Sequence, residues 1–265
     1  MSVKIYLEDI AQHCVINASE REAINTSIVA IQNRLEKYYE DNIRNHFQFG
    51  SSTRGTMLPK EIDEEADIDY MVVFTNNQYQ PQSYLDSLKR FVECYYSRSE
   101  IHQSHPTIVL KLNHIKFELV PAISSRYGYQ IPIRSSDYQY WQNTDPLSFK
   151  KNLEQLDNYS KGLIRKLIRI MKYWNISHGK IFESYKLEEN IVSTFGNLPR
   201  DYNIDIKDML FFYVNQINIY DSAISVTDRH YIEELKEKIE LIKLYENLGY
   251  INLVEQELTY VFPKL

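Results

Sequence analysis

Two aspartates open an apolar segment of the chain. Asp67 and Asp69 begin the sequence DIDYMVVF, which ends at Phe74. The run of β-branched and aromatic residues predicts a strand, in which side chains two positions apart share one face. Two carboxylates side by side repel each other unless a cation lies between them, and Mg²⁺ prefers oxygen ligands completed by substrate phosphates. The spacing therefore predicts a metal site for phosphate chemistry.

A third acid follows in the sequence KFELVPA. Phe117 and Leu119 are expected to face the core from a second strand. That leaves Glu118 on the opposite face, where it can complete a two-metal site. Lys116 shares this face, so a surface salt bridge between Lys116 and Glu118 is the alternative interpretation.

Gly50 and Ser51 precede the acids in the sequence. They offer exposed backbone N–H groups and a hydroxyl, which can hold a triphosphate. The combination predicts attack by a hydroxyl on the α-phosphate of an NTP, in which one metal activates the attacking oxygen and a second holds the leaving pyrophosphate. An Asp-x-Asp pair or a Gly-Ser pair alone is a weak signal. Both in this order, with a third acid on a later strand, are far more specific.

Strand and helix patterns surround these residues. A long helix is predicted from Ser19 to His46, with Ser19 and Glu22 as a capping box. A hairpin of Ile108–Leu112 and Ile115–Val120 is predicted next, followed by an irregular connection over Pro121–Pro146. Helical periodicity then covers Gly162–Trp174, Tyr185–Phe195, Ile206–Ile219 and His230–Leu248. Strands in the first half and helices in the second predict an α+β fold.

The composition is that of a globular protein. Of 265 residues, 43% are hydrophobic and 25% are charged, which argues against wholesale disorder. Two cysteines are too few for a disulfide framework, so an intracellular protein is expected. No secretory signal and no run of about eighteen apolar residues is visible, so we expect a cytoplasmic chain without a membrane partner. The net charge of −6 disfavours non-specific coating of DNA.

Longer motifs resemble a known family. GSSTRGT, which starts at Gly50, and DID, which starts at Asp67, resemble the GS-x-x-x-GT…DxD signature of the polymerase-β-like nucleotidyltransferases. LIRKLIRIMKYW, which ends at Trp174, and the following ESYKLE resemble the R-x-x-K-x-W…S-Y-x-L-E helices of the bacterial CD-NTases, relatives of cGAS and oligoadenylate synthetase. Val261-Phe262-Pro263 is similar to that family's closing segment. The resemblance extends from Ser19 to Leu265.

The resemblance implies a bilobed fold. Residues 1–146 would form a nucleotidyltransferase lobe with a mixed β-sheet and the long N-terminal helix. Residues 147–265 would form a helical lobe that closes the active-site cleft. The catalytic and metal-binding residues would be Asp67, Asp69 and Glu118, and the nucleotide-binding residues would be Gly50, Ser51, Lys172, Ser184 and Tyr185.

Three of these residues belong to the second half of the chain. The resemblance implies that Lys172 reaches the donor phosphates, that Ser184 contacts phosphate and that Tyr185 stacks on the donor base. Stacking accepts any base through its π-face, so Tyr185 does not select adenine. Lys161 and Arg165 lie on the same basic stripe as Lys172, and a solvated helix face is an equally good interpretation of those two residues.

The activity implied is synthesis of a cyclic or linear oligonucleotide second messenger from ATP or other NTPs, with Mg²⁺, or Mn²⁺ in its place, as cofactor. The family also implies bacterial anti-phage (CBASS) signalling, in which the product activates a separate effector protein encoded nearby. The family's third acid is often Asp, whereas Glu118 is one methylene longer; glutamate still binds Mg²⁺, so activity is expected. No Cys/His zinc insertion like that of animal cGAS is visible, so long double-stranded DNA is not an expected partner.

Two further hypotheses stay open. In one, the same chemistry adds nucleotides to an RNA 3′ end or to a protein side chain. The net charge of −6 weakens the RNA version, because phosphate contacts need a strongly basic surface. In the other, the protein is a nucleotide-binding regulator without turnover, against which the intact set of glycine, serine and acids argues.

Overall fold

The computed structural model describes residues 1–104, 106–133, 140–196, 204–220 and 224–263. The chain divides into two compact units. Ile16–Lys151 form the first, here named the sheet unit. Met1–Val15 and Asn152–Leu265 form the second, here named the helical unit.

The sheet unit is built on one mixed sheet. Its described strands are β1 (Ile43–Gln48), β2 (Asp67–Phe74), β3 (Glu100–Ser104), β4 (Thr107–Lys111), β5 (Lys116–Ser125), β6 (Gly128–Pro132) and β7 (Trp141–Thr144). The strand order is β1-β2-β5-β4-β3, and β6 joins β5 to β7. The pairing of β2 with β5 is parallel, whereas β1 and β4 pair antiparallel with these two strands. This confirms the strand predicted from Asp67 to Phe74 and the β4–β5 hairpin.

One face of this sheet carries the main core. The helices of the sheet unit are α2 (Ala18–Tyr39), the short α3 (Gly50–Arg54) and α4 (Pro81–Tyr95), with a 3-10 turn at Glu40–Asn42. The core combines buried residues of α2 and α4 with those of β2 and β5, among them Ile31, Leu35, Leu88, Phe91, Ile68, Tyr70, Phe117 and Leu119. Each such apolar side chain contributes roughly 1.5–3 kcal/mol when fully buried. The predicted inward faces of β2 and β5 are therefore confirmed, and the acids lie on the other face.

The helical unit contains α1 (Val3–His13), α6 (Leu163–Ser177), α7 (Ser184–Gly196), α8 (Ile206–Gln216), α9 (Val226–Leu248) and α10 (Ile251–Val261). Helix α5 (Pro146–Tyr159) spans the division between the units. The predicted α+β class is confirmed by this combination of a mixed sheet and a helical second half. No helix in the described part of the chain is long and apolar enough to span a membrane.

The first fifteen residues depart from the predicted division. They were expected in the nucleotidyltransferase lobe, but the structure groups Met1–Val15 with the helical unit. The apolar face of α1 is buried and contacts α6, α8 and α10. Lys166 of α6 forms an ion pair with Glu8, and Nε of Arg169 donates to the carbonyl of Ala11 at 3.3 Å. These contacts explain why α1 belongs to the second unit.

The predicted helix from Ser19 to His46 starts within one residue of α2 (Ala18–Tyr39) but extends too far, and its predicted cap is not the one observed. Helix α2 begins after Asn17, whose side chain accepts a hydrogen bond from the amide of Glu20 at 2.9 Å, so Asn17 is the N-cap. The helix ends where Glu40 takes a φ of 47°. The following residues pair with β2 as β1, because the sheet edge satisfies their backbone groups and overrides local helix propensity.

The predicted irregular connection over Pro121–Pro146 is also wrong within its described residues, 121–133 and 140–146, whereas residues 134–139 lie outside the described part of the chain. Strand β5 continues to Ser125, and β6 and β7 extend the sheet antiparallel beyond it. These strands are short and partly exposed, with polar and aromatic side chains. They therefore lack the apolar alternation that reveals a strand in sequence.

Candidate active site

The parallel pairing of β2 with β5 brings the predicted acids to one face. Its register places Asp67 opposite Lys116 and Asp69 opposite Glu118. Residues two apart share a face, and residues opposite each other in register are neighbours on it. The acids stand at the start of both strands, whose alternate residues are buried in the core. The structure thus places the three predicted acids on one face of the sheet.

A lysine stands among these carboxylates. The ammonium nitrogen of Lys116 lies 3.4 Å from Oδ2 of Asp67, 3.5 Å from Oε1 of Glu118 and 3.5 Å from Oε2 of Glu65. The side chains of Asp67 and Glu118 keep 29% and 25% of their exposure. The alternative interpretation of Glu118, a salt bridge to Lys116, is therefore observed. It coexists with the position of Glu118 on the acidic face.

The charges at this face perturb each other. Burial and the neighbouring charge of Glu118 raise the pKa of Asp67 to about 6, although Lys116 acts in the opposite direction. Burial lowers the pKa of Lys116, but the charges of Asp67, Glu118 and Glu65 outweigh it, and the pKa is raised above its ordinary value. One ammonium therefore does not neutralise the acids around it.

Gly50 is packed against Asp69. Its φ is 74°, and a methyl group at this position would come within 1.8 Å of Oδ2 of Asp69. The amide of Phe49 also donates to the carbonyl of Asp69 at 3.0 Å. Only glycine combines this φ with so close an approach. Gly50 is buried and follows strand β1, whereas exposed backbone N–H groups were expected at this position.

The rest of GSSTRGT forms the short helix α3 and its end. Ser51 is half-buried, and its carbonyl accepts from the amide of Thr56 at 3.2 Å. Arg54 is buried, and its guanidinium lies 5.2 Å from the centre of the Phe149 ring. The sequence analysis missed the buried Arg54 and Thr56. The signal was available, because both residues fall inside the motif. The role of Ser51 in binding phosphate stays a prediction.

Lys172 lies in a different environment, inside the helical unit. Its ammonium nitrogen is 2.7 Å from Oε1 of Glu188, and the side chains are 6% and 0% exposed. The motif predicts that Lys172 reaches the donor phosphates, and it does not predict this pair with Glu188. Glu188 is the last residue of the SYKLE motif, so the motif joins α6 to α7 through a buried charge pair. The structure therefore gives Lys172 a packing partner that the motif alone did not reveal.

The remaining nucleotide-binding candidates lie on α7. Ser184 is its first residue, and Tyr185 has an exposed fraction of 45%. The structure does not test their predicted contacts. Arg165, one of the two stripe residues left open, is 2.5 Å from Oδ2 of Asp157. That pairing shows that Arg165 has an internal structural partner.

The acids of β2 and β5 have the ligand chemistry that a hard divalent cation requires, but not the present arrangement of a metal site. Asp67, Asp69 and Glu118 offer only carboxylate oxygens, the ligand type that Mg²⁺ and Mn²⁺ take. Within the described ranges, no group of three or more His, Cys, Asp or Glu is arranged to hold a metal ion. The cation that Asp67 and Glu118 contact in this structure is the ammonium of Lys116. The carboxylates are thus of the type that binds Mg²⁺ or Mn²⁺, but their cationic partner in this structure is Lys116.

Comparisons with known proteins extend this description. The model of the Second Messenger Oligonucleotide or Dinucleotide Synthetase domain family matches residues 1–157, which is more than half of the chain. The chain belongs to this family. Its membership confirms the resemblance to the bacterial CD-NTases. The matched residues include Gly50 and all three acids of β2 and β5.

Relatives of this family member agree with that assignment. A probable cyclic nucleotide synthase of Bacillus cereus strain VD146 is 31% identical over an alignment of 137 residues, and the match covers 48% of this chain and 40% of the relative. The match thus spans less than half of that relative's length.

Solved structures show the same fold. The Escherichia coli MS115-1 CdnC structure with ATP has a TM-score of 0.70 at 12% identity and covers 98% of each chain. The Bradyrhizobium diazoefficiens CD-NTase CdnG in complex with GTP has a TM-score of 0.70 at 12% identity, with 98% of this chain and 97% of that chain covered. At such low identity, the likeness establishes a polymerase-β-like CD-NTase fold.

Proposed function

We propose that this CD-NTase joins NTPs into a cyclic or linear oligonucleotide second messenger. The observation that carries the proposal is the parallel register that sets Asp69 opposite Glu118, with Asp67 on the same face and Gly50 packed against Asp69. Family membership supports it. The Bacillus cereus relative, a probable cyclic nucleotide synthase, supports it, as do the ATP and GTP in the CdnC and CdnG structures.

The three carboxylates would hold Mg²⁺, with Mn²⁺ as a substitute. When bound, such ions polarise the α-phosphate and hold the triphosphate and its leaving pyrophosphate. The chain itself fixes the carboxylates on two paired strands, so no loop has to order before they act. Gly50 keeps the backbone close to Asp69 without a side chain in the way.

The helical unit is proposed to contribute the donor nucleotide contacts. Ser184 would contact phosphate and Tyr185 would stack on the base, for which its exposure is suited. Lys172 would act on the donor phosphates only after exchange of its contact with Glu188. We further propose that the helical unit closes the active-site cleft and that the product activates a separate effector in anti-phage signalling. Long double-stranded DNA is not proposed as an activator.

Incubation with labelled NTPs and Mg²⁺ tests the proposal. The wild-type chain should yield a phosphatase-resistant product, whose composition mass spectrometry identifies. Asp69→Asn should lower the rate by about a hundredfold or more, because the reaction depends on charge stabilisation at this position. Asp86→Asn, which alters an exposed acid on α4, is the matched control and should leave the rate unchanged. Equal turnover by both variants would rule out the assigned role of Asp69.

The same assay separates the alternative acceptors. Parallel reactions contain tRNA or a pool of proteins, which would become labelled if the chain transferred nucleotides to an RNA 3′ end or to a side chain. Label in those acceptors, with no free oligonucleotide, would replace the proposed product by one of these. NTP binding without any turnover would favour the regulator.

A further inference from the structure

Lys116 is the residue of the acidic face that the proposed reaction leaves without a role. It lies on the same face of β5 as Glu118, two positions earlier, and directly opposite Asp67 in the parallel register. Its side chain is 19% exposed, so the stem is largely covered while the ammonium reaches the carboxylates. It therefore contacts two of the proposed metal ligands at once.

The charges around Lys116 do not balance. Asp67, Glu118 and Glu65 each lie within 3.5 Å of its ammonium nitrogen, and Asp69 stands opposite Glu118 on the same face. A single positive charge relieves only part of the repulsion between these acids. A divalent ion at the same carboxylates would relieve more, but it would approach an ammonium of the same sign. Lys116 and a divalent ion therefore favour the same carboxylates and disfavour each other.

We propose that Lys116 is a positioning residue that holds Asp67 and Glu118 together in the metal-free protein and competes with the divalent ion for them. The inference rests on the proposed function, because it takes these carboxylates as the metal ligands. Metal binding then requires the ammonium to give up its contacts. The affinity of the bare protein for metal is held down by this lysine.

The neighbouring strand offers a matched comparison. Lys111 of β4 stands opposite Lys116 in the antiparallel register. Its ammonium contacts Glu100 at 3.9 Å, and its side chain is 53% exposed. Lys111 is thus a lysine of the same sheet that pairs with an acid outside the three carboxylates. Its removal changes the net charge equally without removing the competitor.

The test measures binding of Mn²⁺ alone to the full chain, without nucleotide, by the loss of the free-ion paramagnetic resonance signal. Lys116→Met should bind Mn²⁺ about tenfold tighter than wild type, within the usual range of coupling between two linked sites. Lys116→Arg keeps the charge and should stay near wild type. Lys111→Met should remain within about twofold, because screened charges of exposed side chains act weakly. Asp69→Asn should lose the binding, which assigns the signal to this site.

Thermal unfolding gives a second readout. Metal-free Lys116→Met should melt below wild type, and Mn²⁺ should raise its melting temperature by more than it raises that of wild type, by mass action. Lys116→Gln serves if the Met variant does not fold. Equal or weaker Mn²⁺ binding by the neutral variants would overturn the role of Lys116 alone. Absence of Mn²⁺ binding in wild type and in the neutral variants would overturn the metal site as well.

Discussion

Two lysines of this protein sit beside carboxylates in contrasting ways. Lys172 contacts Glu188 at 2.7 Å, and both side chains are almost fully buried. Lys116 contacts three acids at 3.4–3.5 Å, and its surroundings stay partly open to solvent. The first is a balanced pair that is removed from water. The second is a face with surplus negative charge.

The difference separates stability from binding. A buried pair with matched charges does not attract a further ion. If either partner is removed, the other charge stays buried in a low-dielectric interior without compensation. An open cluster adds little to stability, because solvent screens it. Its surplus charge instead lets it take up a further cation. The two lysines should therefore respond oppositely to mutation.

The largest expected effect is on the stability that the buried pair of Lys172 and Glu188 provides. Glu188→Gln should lower the free energy of unfolding by about 3–5 kcal/mol, because it leaves the Lys172 charge buried without its partner. Urea unfolding measures this. Glu189→Gln, which removes the exposed partner of Lys186 at 3.0 Å on the same helix, should cost at most about 1 kcal/mol.

A double replacement sharpens this comparison. Lys172→Met combined with Glu188→Leu should recover much of the lost stability, since well-packed apolar residues often replace buried pairs without penalty. A Glu188→Gln variant as stable as wild type would show that the pair is not what holds α6 to α7.

The next effect in size is expected at Gly50, where substitution should lower catalytic activity. Gly50→Ala should lower turnover about a hundredfold, because the methyl group displaces Asp69 from its place and misplacements of about 1 Å can cost this much. Gly249→Ala is the matched control. Its φ of 77° is close to the 74° of Gly50, but nothing lies within 4 Å of the added methyl group. Equal loss in both variants would attribute the effect to backbone strain.

The smallest effect is expected on the stability that the contacts of Lys116 with Asp67, Glu118 and Glu65 provide. Metal-free Lys116→Met should lose no more than about 1 kcal/mol in urea unfolding, because its ion pairs are partly exposed and screened. High salt should reduce the difference from wild type further. A loss of stability as large as that of Glu188→Gln would show that Lys116 stabilises the fold as strongly as the buried pair of Lys172 and Glu188 does. The two lysines would then not differ in their contribution to stability.

The sequence predicted the acidic face because strong local patterns define it. Alternation of apolar and polar residues marked the inward face of β5 through Phe117 and Leu119, and this placed Glu118 beside the aspartates of β2. The same alternation placed Lys116 there and raised the salt bridge as an alternative. The structure shows that both interpretations of Glu118 hold together.

Other features depend on contacts that sequence patterns do not carry. Strand β1 reads IRNHFQ, without apolar alternation, and forms because β2 offers its edge. The pair of Lys172 with Glu188 joins two helices, so the spacing of residues within one helix does not predict it. Helix α1 groups with the helical unit because its partners lie far along the chain. Non-local packing decided each of these.

Helix α1 has a consequence for the order in which the protein is made. Its apolar side chains, Val3, Tyr6, Leu7 and Ile10, have their partners on helices that begin at Leu163 and later. These side chains are synthesised before the sheet unit, and their partners only after it. A fragment that ends before α6 would leave this apolar surface exposed, which favours aggregation. Ile16–Lys151, by contrast, is one uninterrupted stretch, and expression of that stretch alone avoids the orphaned helix.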